Sequence, residues 1–378
     1  MTDIEKVKEY LKSDDIVVAQ IAPAVRVSIG EEFGLEPGTE VTKKIVSALR
    51  KLGFKYVFDT CFGADIVALE EAHEFKERIE HGGPFPLITS CCIGWKLYAL
   101  KFFPDKMHQL STCMAPQIAT GALAKTYFAE KSGTDPEKIK MVSIMPCISK
   151  KKEAELHAEI GVCEINKVLT TREIAQLLKE KNVDLMKMDD SDFDEFLGEA
   201  SQGGRKFGVT GGVAEAVVNT MFRLYGDNET SIKIEDDEEV GYYSFNVGGQ
   251  EINVVRVFGL HNFVKVLKKI EEDNKNPDKK TYHLIEVMAC PYGCLGGPGQ
   301  PLPISMDKNK MRAKSLREYA NKQTYTDPLS NPEIKKVYDT YLSAPGCRKS
   351  KDLLHIGCMI CKIELDKLSN KNCDKKGD

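Results

Sequence analysis

Runs of β-branched and other apolar residues alternate with amphipathic stretches through the first half of the chain. Residues 16–21, 56–60, 86–90 and 140–145 read as strands. Between them, residues 41–52 and 66–79 carry apolar side chains at helical spacing, and Gly82-Gly83-Pro84 ends the second stretch. A further set of short strands at 207–209, 253–258 and 283–288 is interleaved with helices such as 213–224. The acidic stretch 189–199 lies between the two sets, and 235–239 adds another. Strands alternating with helices predict an α/β fold with parallel strands, arranged as two α/β lobes with the active site in the cleft between them. The expected organisation is a short leader at 1–15, lobes at roughly 16–185 and 186–345, and a Cys/Lys-rich tail at 346–378.

Composition narrows the function classes. The 378 residues include 53 basic and 57 acidic side chains, a formal charge of −4, so the basic excess of a nucleic-acid binder is missing. With 42% apolar residues there is material for real cores rather than a disordered tail. The N-terminus Met1-Thr2-Asp3-Ile4-Glu5-Lys6 is polar, and no run approaches a membrane span or secretory signal. A soluble, cytoplasmic protein is expected. In that compartment twelve cysteines read as thiols, catalytic groups or metal ligands rather than disulfides.

Where the cysteines fall matters more than their number. Cys91-Cys92 follows one expected strand, Cys147 another, and Cys290 and Cys294 a third. In open α/β sheets ligands gather beyond the carboxyl ends of strands, so three cysteine loops at three strand ends can converge on one site. The loops read Thr89-Ser90-Cys91-Cys92-Ile93-Gly94-Trp95, Met145-Pro146-Cys147-Ile148-Ser149-Lys150-Lys151-Lys152-Glu153, and Met288-Ala289-Cys290-Pro291-Tyr292-Gly293-Cys294-Leu295-Gly296-Gly297-Pro298-Gly299. Thiolates bind iron–sulfur clusters in sets of four, and small residues let the backbone approach the inorganic core. A single such loop would read as a buried cysteine beside a turn; three together favour a metal site.

These loops resemble the three signature segments of the iron-iron hydrogenases, in order and at comparable separations. Gln20-Ile21-Ala22-Pro23-Ala24-Val25-Arg26, Phe58-Asp59-Thr60, Val168-Leu169-Thr170-Thr171-Arg172-Glu173 and Gly208-Val209-Thr210-Gly211-Gly212-Val213 extend the likeness from Ile16 to about His355. The resemblance implies the iron-only hydrogenase catalytic-domain fold and reversible reduction of protons to hydrogen. It implies an H-cluster: a 4Fe–4S cubane joined through one cysteine to a two-iron unit carrying carbon monoxide, cyanide and azadithiolate. Matched motif to motif, Cys92, Cys147, Cys290 and Cys294 would hold the cubane, with Cys294 bridging. Cys91 would pass protons to the azadithiolate amine, and Lys150 would pair with a cyanide. Ala22, Pro23, Gln117, Met145, Pro146 and Met288 would line the pocket.

A helix over 65–80 places Glu71, Glu74 and Arg78 close to one face. Read alone, Glu74 and Arg78 are an i,i+4 ion pair on a solvated surface. The resemblance implies instead that Cys91, Glu71, Ser111, Glu74 and Arg78 form a proton path to solvent. Three residues depart from the usual pattern: Ile93 where Pro is normal, Cys61 where Asn is common, and Pro298 within a stretch normally of three glycines. Cys61, Cys113 and Cys163 read as core or pocket residues.

Only about fifteen residues precede the first strand, with no cysteine before Cys61, so electrons are expected to reach the cubane from an external ferredoxin-type carrier or through the tail. The tail holds Cys347, Cys358, Cys361 and Cys373; Cys358 and Cys361, as a C-x-x-C, are candidate ligands of one further 4Fe–4S cluster or zinc, against a short docking helix with incidental thiols. From Asp307 onward 16 basic residues face 10 acidic ones, and Lys308, Lys310, Arg312, Lys314 and Arg317 are candidates for docking an acidic carrier. Hydrogenase maturation proteins are the other implied partners. Two other readings stand beside the enzyme: a hydrogen-sensing hydrogenase, and a hydrogenase-related iron–sulfur assembly factor. The presence of Cys91 favours the enzyme over both.

Overall fold

A computed structural model describes all residues except 160, 162–163, 228–231, 235–237, 277 and 357–378. Its strands are β1 (Ile16–Ile21), β2 (Tyr56–Asp59), β3 (Leu87–Ile88), β4 (Ile139–Met145), β5 (Lys167–Thr170), β6 (Val240–Val247), β7 (Gln250–Phe258) and β8 (Leu284–Met288). One sheet has the order β2-β1-β4-β5 and is parallel throughout. The other has the order β3-β8-β7-β6, parallel except for β6, which runs antiparallel to β7. Helices cover the central strands, so β1, β4 and β8 are buried on both faces over nearly their whole length. The α/β architecture is the expected one.

Two expectations are corrected. The strand at 86–90, grouped by sequence order with the first set, pairs with β8 in the second sheet, Leu87 opposite Leu284 and Ile88 opposite Ile285. Residues 207–209 form no strand. The glycines on either side favour tight turns, and the Gly208 carbonyl accepts from the Cys294 N–H at 3.0 Å instead of joining a ladder. The acidic stretch 189–199 packs against the first sheet: the Asp194 N–H bonds the Val57 carbonyl at 3.0 Å, and the Leu197 carbonyl accepts from the Asp59 N–H at 3.0 Å, extending the edge beside β2.

The helix expected over 65–80 spans Thr60–His81 and is the element on which the site depends. Asp59 starts it by accepting from the Cys61 N–H at 2.9 Å and ends β2 by pairing with the buried Arg26 at 2.7 Å. Its first half is buried on every side. Asp65 accepts from the Ser201 N–H at 2.6 Å, the Gly204 N–H at 3.0 Å and Asn331 Nδ2 at 3.2 Å; burial still raises its carboxyl to about 6. A Cβ on Gly63 would lie 2.1 Å from Thr120 Oγ1 and 2.5 Å from the Pro116 carbonyl, so this helix meets helix Pro116–Leu123 backbone to backbone. Gly63→Ala is therefore expected to destabilise the fold by about 1–3 kcal/mol, the usual cost of overpacking. An unchanged midpoint in denaturant titration would show that the two helices can separate freely.

Candidate active site

The carboxyl ends of four strands face one cleft. β1 delivers Ala22 and Pro23, β4 delivers Pro146, Cys147 and Lys150, β3 leads into Cys91 and Cys92, and β8 into Ala289 and Cys290. The cavity there is lined by Cys91, Cys92, Cys147, Lys150, Cys290 and Cys294, together with Ala22, Pro23, Gln117, Met145, Pro146 and Met288. The structure thus brings together every residue expected at the pocket wall, from both sheets. The Cys290–Cys294 turn is held by contact with 208–210: Gly293 has φ +72°, and a Cβ on it would sit 2.9 Å from the Thr210 nitrogen. The Gly299 N–H, donating to the Pro146 carbonyl at 2.8 Å, ties the third loop to the second. Pro298 is exposed, and its carbonyl accepts from Arg172 Nη2 at 2.9 Å.

The electrostatics of the cavity favour a cationic guest. Burial pushes the Cys290 thiol up to about 12, with repulsion from Cys92 and Cys147 adding to it. Cys294 is raised further for the same reasons, although Lys150 opposes the shift. Burial also raises Cys92, while the Ala289 and Trp95 N–H groups favour its thiolate. Four thiols that repel one another's ionised forms in an apolar cleft fit a metal cluster, whose positive charge takes the place of the protons. The donor set therefore fits a 4Fe–4S cubane.

Lys150 is the charged residue among the described lining groups. Its Nζ donates to Glu153 Oε2 and to the Cys91 carbonyl, both at 2.8 Å. Burial works against its charge, but Glu153, Cys91 and Cys294 outweigh it and raise its pKa. Gln117 Nε2 donates to Glu153 at 2.7 Å and to the Lys150 carbonyl at 3.1 Å, while its Oε1 is buried without a hydrogen-bond partner. Glu153 was not legible as a site residue, because its sequence position suggests only a helical i,i+3 partner for Lys150.

Behind Cys91 lies Glu71, 1% exposed, with no hydrogen bond closed to either carboxylate oxygen. Burial raises its carboxyl to about 8, and Glu74 and Glu286 add to this, while Ser111 works the other way. Cys91 is raised well above an ordinary thiol by burial and then by the Glu71 charge. Ser111 gives its hydroxyl to Glu74 Oε2 at 3.3 Å, and Arg78 Nη2 donates to Glu74 Oε1 at 2.7 Å. Glu74 and Arg78 are only 12% and 10% exposed, so they are not the solvated surface pair that spacing alone suggests. Arg78 also donates to the Leu110 carbonyl at 2.9 Å, which holds Ser111 against the helix. Glu286, which sequence reading passed over inside β8, accepts from the Gly211 and Ala214 N–H groups at 2.5 and 2.8 Å and is raised to about 7 by burial.

One expectation changes outside the cleft. Arg312 is buried, pairing with Glu31 at 2.7 Å and bonding the Leu295 carbonyl at 2.9 Å. Lys308 joins the same Glu31, and Arg317 lies 3.6 Å from Glu215. Helical periodicity turns these cations inward, so the basic run narrows to the exposed Lys310 and Lys314. Cys358 and Cys361 lie outside the described residues. Cys61 is buried, with Arg26 Nη2 3.3 Å from its sulfur. No helix among the described residues is long and apolar enough to cross a membrane.

The family model for the iron-only hydrogenase large subunit, C-terminal domain, matches residues 15–298, and that for the iron hydrogenase small subunit matches 306–357. The chain is 37% identical over 365 residues to iron hydrogenase 1 of Clostridium pasteurianum and 38% identical to the NADP-reducing hydrogenase subunit HndD of Solidesulfovibrio fructosivorans. Each match covers 93% of this chain but 62% and 61% of those proteins, so the chain spans about three fifths of their length. It is also 29% identical to the cytosolic Fe-S cluster assembly factor narfl of Danio rerio, over 90% of this chain and 85% of that one. Among solved structures, an apo FeFe hydrogenase HydA1 variant from Chlamydomonas reinhardtii superposes with a TM-score of 0.82 at 31% identity, covering 94% of this chain and 98% of the other. With three quarters of its length matched by the large-subunit model and its fold shared with a solved member, the chain belongs to the iron-only hydrogenase family.

Proposed function

We propose that this chain catalyses the reversible reduction of protons to molecular hydrogen at an H-cluster, with electrons from a ferredoxin-type carrier. The observation that carries this reading is the continuity between the four-thiol cleft and a buried thiol–carboxyl series leading away from it. An iron–sulfur assembly role needs the cleft but has no use for the series, and a sensor with slow turnover needs little of it. In this reading Cys92, Cys147, Cys290 and Cys294 would hold the cubane, and Cys294 would also hold the two-iron unit. When bound, the H-cluster supplies the irons, with their carbonyl, cyanide and azadithiolate ligands, at which hydrogen forms and splits.

The protein's part is orientation, exclusion of water and proton supply. Two of the three ammonium hydrogens of Lys150 are engaged by Glu153 and the Cys91 carbonyl, leaving one to donate into the cavity, which suits a cyanide nitrogen. Ala22, Pro23, Met145, Pro146 and Met288 keep that space apolar. Cys91 holds a proton at the wall because burial opposes its thiolate. Glu71, raised to about 8, is protonated at neutral pH and can replace a proton that Cys91 gives up. Ser111 and Glu74 then connect Glu71 to solvent beside Arg78.

Cys91→Ala removes a proton carrier without removing a ligand. Iron content and infrared bands should persist while hydrogen evolution falls by about 10²-fold or more, the usual contribution of a positioned acid–base group. Cys294→Ala should lose the two-iron unit's bands. Full turnover in the Cys91 variant would refute the relay.

Electron entry is tested on the exposed cations. Lys310→Glu combined with Lys314→Glu should slow turnover driven by an acidic ferredoxin, most at low salt, and spare turnover driven by a small cationic dye. Equal rates for parent and variant with both donors would remove this helix as a docking surface.

A further inference from the structure

Beside the outer end of the proton series three potential ligands of different chemistry meet. Glu74, Cys113 and His355 each turn one ligand atom to a common point, all within 4.8 Å of one another. Cys113 Sγ lies 3.8 Å from His355 Nδ1 and 4.0 Å from Glu74 Oε2. A tetrahedral zinc-type ion sets sulfur-to-nitrogen and sulfur-to-oxygen separations at about 3.5 Å, given its metal–ligand lengths, so both contacts of the sulfur are within a few tenths of an ångström of a ligating geometry.

The backbone fixes this meeting. Cys113 and His355 face each other across an isolated antiparallel bridge. The Met114 N–H donates to the Leu354 carbonyl at 2.8 Å and the Ile356 N–H to the Thr112 carbonyl at 3.1 Å. Behind the imidazole, His355 Nε2 lies 3.0 Å from Glu70 Oε2. Glu70 is itself held by Tyr338 Oη at 2.7 Å, the Gly346 N–H at 2.9 Å and Ser350 Oγ at 3.2 Å. A carboxylate behind a histidine is the arrangement that orients a metal-binding imidazole and fixes its tautomer, leaving Nδ1 with the lone pair.

Glu74 Oε2 accepts from the Thr112 N–H at 2.9 Å and from Ser111 Oγ at 3.3 Å, and Thr112 Oγ1 lies between it and His355 Nδ1, at 2.9 and 2.8 Å. Glu70, Glu71 and Glu74 all face the buried Cys113 and hold its thiol well above the usual range, burial contributing most. Of the nearby cations, Arg78 pairs with the other carboxylate oxygen of Glu74, Oε1, and Lys351 pairs with Glu77. Thr112 is exposed and marks the side from which an ion and its water can enter.

We infer that Glu74, Cys113 and His355, backed by Glu70, form a binding site for a divalent zinc-type cation. Its effect on turnover rests on the relay reading above, because Glu74 is the outermost carboxylate of that relay and cannot both ligate a cation and pass protons.

The test uses cluster-loaded protein carrying Cys347→Ser, Cys358→Ser, Cys361→Ser and Cys373→Ser, so that neither the cleft nor the tail thiols take up zinc. Equilibrium dialysis against zinc should show one ion per chain, and X-ray absorption at the zinc edge should show a single sulfur with nitrogen or oxygen donors. Cys113→Ser and His355→Gln should each abolish that ion, and Glu70→Gln should weaken it by about 10–100-fold, as for outer-shell partners generally. No retained zinc, zinc without a sulfur donor, or zinc unaffected by both ligand variants would overturn the site. Zinc should also suppress hydrogen evolution in this protein and not in the His355→Gln form. Binding without suppression would leave the site standing and remove Glu74 from the proton series.

Discussion

Four thiols share a cleft, and burial holds three of them, Cys92, Cys290 and Cys294, from ionising until a positive charge joins them. Burial and mutual repulsion push Cys290 up to about 12 and Cys294 beyond it, and the cation lining the cavity among the described residues is Lys150. The constraint explains why both sheets are needed. One loop cannot present four sulfurs to one point, so β3, β4 and β8 each end at it, and Gly293 allows the β8 loop to lie against 208–210. A bound cluster would contribute to folding as well as catalysis, because metal affinity is released where the site is preformed.

Helix Thr60–His81 joins that cleft to the rest of the molecule. The buried Arg26–Asp59 pair fixes its start; losing one partner of such a pair costs about 3–5 kcal/mol, because the other charge is left uncompensated. Gly63 brings helix Pro116–Leu123 close enough for Gln117 to reach Glu153. Further along, the same helix turns Glu71 toward Cys91 and Glu74 toward Ser111, while Glu70 receives Tyr338, Gly346, Ser350 and His355 from the C-terminal segment. Proton supply and C-terminal docking are therefore properties of a single helix.

Much of the cleft could be read from the sequence because its chemistry sits in contiguous loops after apolar strands. Cys91, Cys92, Cys147, Cys290 and Cys294 announce themselves by type and spacing. What stayed hidden depends on burial and long-range pairing. Glu74 and Arg78 look like any helical ion pair until the segment 109–112 covers them, and Arg312 and Arg317 look like surface cations until Glu31 and Glu215 are found opposite. Sequence order groups strand β3 with the first sheet because its true partner, β8, lies nearly two hundred positions away. His355 gave no signal, since Cys113 and Glu70 reach it only through the fold.

Infrared spectroscopy of the protein after loading with the two-iron unit tests the central claim most directly, since metal-bound carbon monoxide and cyanide absorb where polypeptide does not. The account predicts a set of narrow carbonyl and cyanide bands that shift on reduction under hydrogen and vanish in Cys294→Ala. A protein that binds four irons through its cysteines but never acquires those bands would contradict it, and would make this chain an iron–sulfur protein without a hydrogen-forming centre.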